Sequence, residues 1–151
     1  MSTSPLRALP VDLDDLVVAF EAEGELLQWY LDVQTGAVIL VWREYEPADH
    51  DGLTATEIET DPLRFVKVPP ADPQHLVGDM EAFADAIDDQ QLKESLQIAL
   101  AAPRPEKRFK AALSWLPEQL ARWHAWRLQK CHERVKSWLA RLGLTAESRA
   151  A

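Results

Sequence analysis

Four residues near the end of the chain have the types and spacing to hold an anion. Arg122, Trp126, Lys130 and Arg141, with Ser137 among them, recur at helical intervals and place an indole between cations on one side of a helix. Such a ridge can bind phosphate or single-stranded nucleic acid, and the same composition describes a solvated basic face. Arg127 belongs elsewhere, because it projects between Trp123 and Cys131 in the middle of an apolar stripe. A guanidinium in that place must be paired or stacked, since an isolated buried charge is costly. Its expected partner is a carboxylate from the acidic half of the chain, with stacking on a tryptophan or exposure to an external anion as alternatives.

The remaining constellations carry less chemistry. Glu81, Asp85 and Asp88 share one helical face, but paired carboxylates act as acid and base only where burial or a neighbour separates them, and a solvated ridge is the expectation. His124, Cys131 and His132 lack the C-x-x-C and H-x-x-x-H spacings that fix a tetrahedral metal site. Asp49-His50-Asp51-Gly52 evokes a calcium loop and fails as one. With Gly52 at the sixth position, Pro47 falls at the first ligand position and Ile58 at the twelfth, where a bidentate glutamate is needed. Phosphate-cradling and nucleophile-elbow motifs are absent from the sequence. No catalytic residue, metal or cofactor is expected.

The chain's 151 residues are one domain's length, and their 47% hydrophobic content can build a core. The net charge of −9 conceals a split: residues 1–102 hold five Lys/Arg against 21 Asp/Glu, and residues 103–151 hold eleven against four. Either the basic end meets an anionic partner, or the two parts answer each other within one fold. The overall negative charge favours the second, because it repels nucleic acid at long range. A single cysteine fits a reducing compartment, and no stretch is long enough to cross a bilayer, so a cytoplasmic protein without a membrane role is expected.

These side chains need positioning, and the sequence predicts how. The stretch from Arg108 to Leu142 carries four of the six tryptophans, with Pro117 and Glu118 suited to the first turn of a helix reaching Leu142. Leu120, Trp123, Cys131, Val135, Trp138 and Leu142 form its apolar stripe, widened by Leu128 and Leu139. Upstream, Asp12 caps a helix bearing Leu13, Leu16, Val17 and Phe20, which Gly24 ends. Gln28 to Trp42 reads as a hairpin turning through Gln34-Thr35-Gly36, and Arg64 to Val68 as a third strand. Residues 43–62 read as an acidic surface loop. Asp72-Pro73 opens a helix with Leu76, Met80, Phe83 and Ile87 on one face. Asp88 or Asp89 opens another with Leu92, Leu96, Ala99 and Leu100, which Pro103 and Pro105 close before a short helix bearing Phe109 and Leu113. The prediction is an α+β protein: a flexible N-terminus at 1–10, one domain at 11–143 with a small antiparallel sheet of about three strands, an N-terminal helix and a C-terminal set of helices, and a frayed tail at 144–151.

The order of Trp29-Tyr30-Leu31-Asp32 with Thr35-Gly36, Phe65-Val66, Val68-Pro69, Met80-Glu81 with Phe83, Arg108-Phe109-Lys110, Pro117-Glu118, Trp123, Trp126-Arg127 and Trp138-Leu139 resembles the bacterial uncharacterised protein family UPF0158. The resemblance spans about residues 12 to 143 and implies a bacterial cytoplasmic protein, with no catalytic residue to carry over. The leading expectation is a non-enzymatic regulatory or protein-interaction module with a protein partner. The alternative is a binder of nucleotide or single-stranded nucleic acid through Arg122, Trp126, Arg127, Lys130 and Arg141.

Overall fold

The computed structural model describes residues 6–22 and 26–147. They form an α+β protein in which helices predominate. Two compact units emerge, one from Met1–Ala71 with His132–Ala151 and the other from Asp72–Cys131. The charge split along the sequence does not follow this division. Residues 72–131 hold eight Lys/Arg against nine Asp/Glu, so residues 103–131 of the basic segment share their unit with acidic helices, while residues 132–151 belong to the other unit.

In the first unit, β1 (Arg7–Leu9) leads to α1 (Leu13–Glu21), whose first turn is capped by the Asp12 carboxylate accepting from the Asp14 and Asp15 N–H groups at 2.8 and 3.4 Å. Gly24, expected to end this helix, lies outside the described residues. The hairpin forms as predicted from β2 (Gln28–Asp32) and β3 (Val38–Val41). Gly36 takes φ +83° in its turn, and a Cβ there would collide with the Pro10 carbonyl. β4 (Phe65–Lys67) completes an antiparallel sheet of order β3-β2-β4.

Alternation along these strands sends Tyr30, Ile39, Val41 and Phe65 to one face, where they cluster with Ile58. Ile58 belongs to α2 (Ala55–Thr60), a helix inside the stretch predicted to be loop. Its cause is local: Thr54 accepts from the Glu57 N–H at 3.1 Å while Glu57 accepts from the Thr54 N–H at 3.2 Å, a capping box that starts a helix even in an acidic run. A 3₁₀ turn at Pro47–His50 precedes it.

Within the segments predicted as a flexible N-terminus and a frayed tail, residues 7–9 and 144–146 form strands. β5 (Leu144–Ala146) runs parallel to β1, with Arg7 opposite Leu144 and Leu9 opposite Ala146, and both Leu9 and Leu144 are buried. Two apolar residues far apart in sequence gain burial by this pairing, which offsets part of the cost of ordering both segments.

The second unit is helical. α3 (Pro73–Asp85) begins at its predicted cap, Asp72, and α4 (Gln90–Ala101) at Asp89 rather than the alternative Asp88; both carboxylates accept from N–H groups of the first turn. Pro105 opens α5 (Pro105–Leu113) rather than closing α4, a position where its missing N–H costs nothing. α6 (Pro117–Arg141) contributes residues 117–131 here and residues 132–141 to the first unit. Phe83, Phe109 and Trp123 meet edge-on with centroids 5.0 to 6.2 Å apart, and Met80, Leu96 and Leu113 complete the cluster around them. The stripe predicted for α6 is too wide: Trp123, Cys131, Val135, Trp138 and Leu139 are buried, whereas Leu128 and Leu142 are exposed.

Candidate functional site

Helical spacing sets the anion-binding candidates along α6, and their surroundings limit what they can do. Trp126 is half-buried, its ring edge-on to Phe83 at 5.8 Å, with the Lys130 ammonium over its face at 5.2 Å. An indole held this way offers little free surface for a base to stack on. Arg122 is exposed and donates to the Gln119 side chain at 3.3 Å. Between these residues and Phe83, Ala86 and Ile87 lies a shallow groove of about 250 Å³. Arg127 is half-buried. Arg141 is exposed and belongs to the first unit, while the other four belong to the second.

The acidic triplet is equally solvated, with Glu81, Asp85 and Asp88 all exposed. Cys131 is buried. In the first unit, His132 Nε2 stands 3.5 Å from Asp14 Oδ1 beside a groove of about 710 Å³ that Leu6, Val11 and Leu144 also line. Among the described residues, no group of three or more His, Cys, Asp or Glu side chains is placed to hold a metal ion.

Three features escaped the sequence. The first is Asp32, a buried carboxylate at the end of β2. It accepts from the Gln34 and Thr35 N–H groups at 2.9 and 3.4 Å, and from Arg64 Nε and NH2 at 3.2 and 3.0 Å. Burial pushes this carboxyl upward, but the Arg64 hydrogen bonds, the turn N–H groups and the Arg64 charge together hold it below the ordinary carboxylate value. The second is Trp115, 85% exposed in the turn between α5 and α6, beside a partly exposed Leu116. Hydrogen bonds from the Ser114 N–H to Ala111 O and from the Leu116 N–H to Leu113 O hold that turn.

The third feature is a groove of about 500 Å³ between the first turns of α3 and α5. Its apolar lining comes from Leu76 and Val77, both packed against the aromatic cluster, with Pro73 and Pro105 beside them. Arg104, Lys107 and Lys110 supply the charge, with Glu106 paired to Lys110 at 2.9 Å. The sequence signal was the basic run from Arg104 to Lys110, which indicates charge but not the apolar surface brought against it from thirty residues upstream.

No helix among the described residues is long and apolar enough to cross a membrane. No solved structure matches the chain. It is 28% identical over 134 residues to the UPF0158 protein PA5073 of Pseudomonas aeruginosa, an alignment covering 89% of this chain and 84% of that one. Residues 6–148 match the profile described as Uncharacterised protein family (UPF0158), over nearly the span that the tryptophan and turn motifs outline, and the chain belongs to that family.

Proposed function

We propose that this is a non-enzymatic bacterial protein of the cytoplasm that works by binding another protein. Trp115 carries the reading. Leaving most of an indole in water forgoes about 2 kcal/mol of burial, and this one stands on a hydrogen-bonded turn rather than in a loose tail. Tryptophan is among the residues that most often anchor protein interfaces, and an anchor held in place loses little entropy on binding. The exposed carboxylates Glu81, Asp85 and Asp88 lack the burial that acid–base chemistry requires, which favours binding over catalysis.

Affinity capture from bacterial lysate, with wild type beside Trp115→Ala, tests it. The variant should keep its urea midpoint, within about 0.5 kcal/mol of wild type, and lose a protein that wild type retains. Identical sets of captured proteins would overturn the reading. The anion-binding alternative on Arg122, Trp126, Arg127, Lys130 and Arg141 has less support, because the ring that would stack a base is already packed on Phe83 and covered by Lys130.

A further inference from the structure

The groove between α3 and α5 has a composition that selects its occupant. Leu76 and Val77 are fixed by the core behind them, so the apolar surface exists before any ligand arrives. Arg104 and Lys107 form no hydrogen bond or ion pair through their side chains among the described residues. Among the described residues Lys110 pairs only with Glu106, both members being about half exposed and the pair contributing little. We propose that this groove docks an acidic peptide segment of a protein partner, with an apolar side chain on Leu76 and Val77 and carboxylates on Arg104, Lys107 and Lys110. The proposal rests on the interaction role argued above and names the chemistry of the partner.

Spacing favours a segment over a point anion. Arg104 stands at the N-cap of α5, and Lys107 and Lys110 follow within the helix, three residues and so roughly 4.5 Å apart along its axis. A single phosphate would meet all of them only by drawing three long side chains together, at a cost in their conformational freedom. Alternate residues of an extended chain lie roughly 7 Å apart, and carboxylates three or four apart on a helix roughly 5 to 6 Å, so an acidic segment can engage two or three cations while one side chain enters the groove. About 500 Å³ accommodates such a side chain with its flanking backbone. The protein's net charge of −9 argues in the same direction. A basic strip on an acidic protein attracts an acidic segment locally, while longer polyanions are repelled by the rest of the surface.

The test is fluorescence anisotropy with a labelled peptide of alternating glutamate and leucine, its lysine counterpart, and inorganic phosphate as competitor. The glutamate peptide should bind, weaken as salt is raised, and lose at least tenfold in affinity to Arg104→Glu with Lys107→Glu, while the lysine peptide stays free. Lys107→Glu alone, at an exposed position, should show part of the same loss with an unchanged melt. Absence of binding, equal binding by the double variant, or displacement by phosphate at concentrations matching the peptide's would overturn the proposal. Trp115→Ala should bind the glutamate peptide like wild type. Failure of the peptide beside a Trp115-dependent captured protein would therefore sink the groove and leave the interaction role standing, and the reverse pattern would keep the groove and remove Trp115 as the anchor.

Discussion

Asp32 and Arg64 face each other through two hydrogen bonds, Nε to Oδ1 at 3.2 Å and NH2 to Oδ2 at 3.0 Å, and so tie the β2–β3 turn to the start of β4. The same carboxylate receives the N–H groups of Gln34 and Thr35, and the Val33 N–H donates to Arg64 O at 2.9 Å. One side chain thereby sets both the turn and the register of the third strand. Asp32→Asn should cost about 2 to 3 kcal/mol near neutral pH, with Arg64's partial exposure keeping it below the cost of breaking a fully buried pair.

The pH dependence follows from the direction in which Asp32 is moved. Its folded-state carboxyl is held below the unfolded value of about 3.9, so its contribution is fully present above that pH and is lost as pH falls through the folded value. The gap in urea midpoint between wild type and Asp32→Asn should be constant from pH 5 to 7 and shrink below about pH 4. A gap that stayed constant into acid would contradict the assignment.

Gly36 supplies a second test. Its positive φ alone makes any side chain costly by about 1 kcal/mol, and a Cβ there also meets the Pro10 carbonyl, a backbone atom with little room to yield. Gly36→Ala should therefore destabilise by about 2 to 4 kcal/mol. Gly52→Ala and Gly143→Ala, which share the positive φ but face open space, should cost only about 1 kcal/mol each. Equal losses at all three positions would mean that the close approach of Pro10 contributes nothing.

The capping box at α2 is separable from the core that this helix covers. Thr54→Ala leaves the Glu57 N–H without its acceptor and should cost about 1 kcal/mol, whereas Ile58→Ala removes a fully buried side chain from the sheet face and should cost about 2 to 4 kcal/mol. Urea titration of both variants gives the comparison, and a Thr54 loss as large as that of Ile58 would mean the cap governs more than one helix.

What could be read from the sequence was what depends on neighbours. Asp12, Asp72 and Asp89 announce helix starts through their own carboxylates, and the spacing of Met80, Phe83 and Ile87 needs only the helical period to find the core. The misses have the opposite character. Nothing in either three-residue segment indicates that Arg7–Leu9 pairs with Leu144–Ala146, and Asp32 looks like a turn residue until Arg64 is placed beside it. α2 did carry a local signal, Thr54-Ala55-Thr56-Glu57 followed by Ile58, but six residues within an acidic run gave it too little amphipathic pattern to stand out. For the candidate site, period 3.6 correctly set Arg122, Trp126 and Lys130 on α6 but could not show that Phe83 occupies one side of the indole.

That occlusion leads to a prediction about the basic ridge. A surface that binds single strands presents free aromatic faces beside its cations, and here Lys130 lies over Trp126 while Arg122 and Arg141 stand in solvent. Titration with a labelled single-stranded oligonucleotide at low salt should therefore give only weak binding, and Trp126→Ala should not weaken it further. The same variant should lower stability by about 2 kcal/mol or more, because the indole packs on the core cluster. Neutralising Arg122, Lys130 and Arg141 to Gln should reduce stability at low salt by less than about 1 kcal/mol, since Arg122 and Arg141 are exposed and surface charges contribute little each. Tight, salt-sensitive oligonucleotide binding that the triple variant abolishes without changing the melt would support the ridge as a nucleic-acid surface, and would count against the proposed interaction role of Trp115.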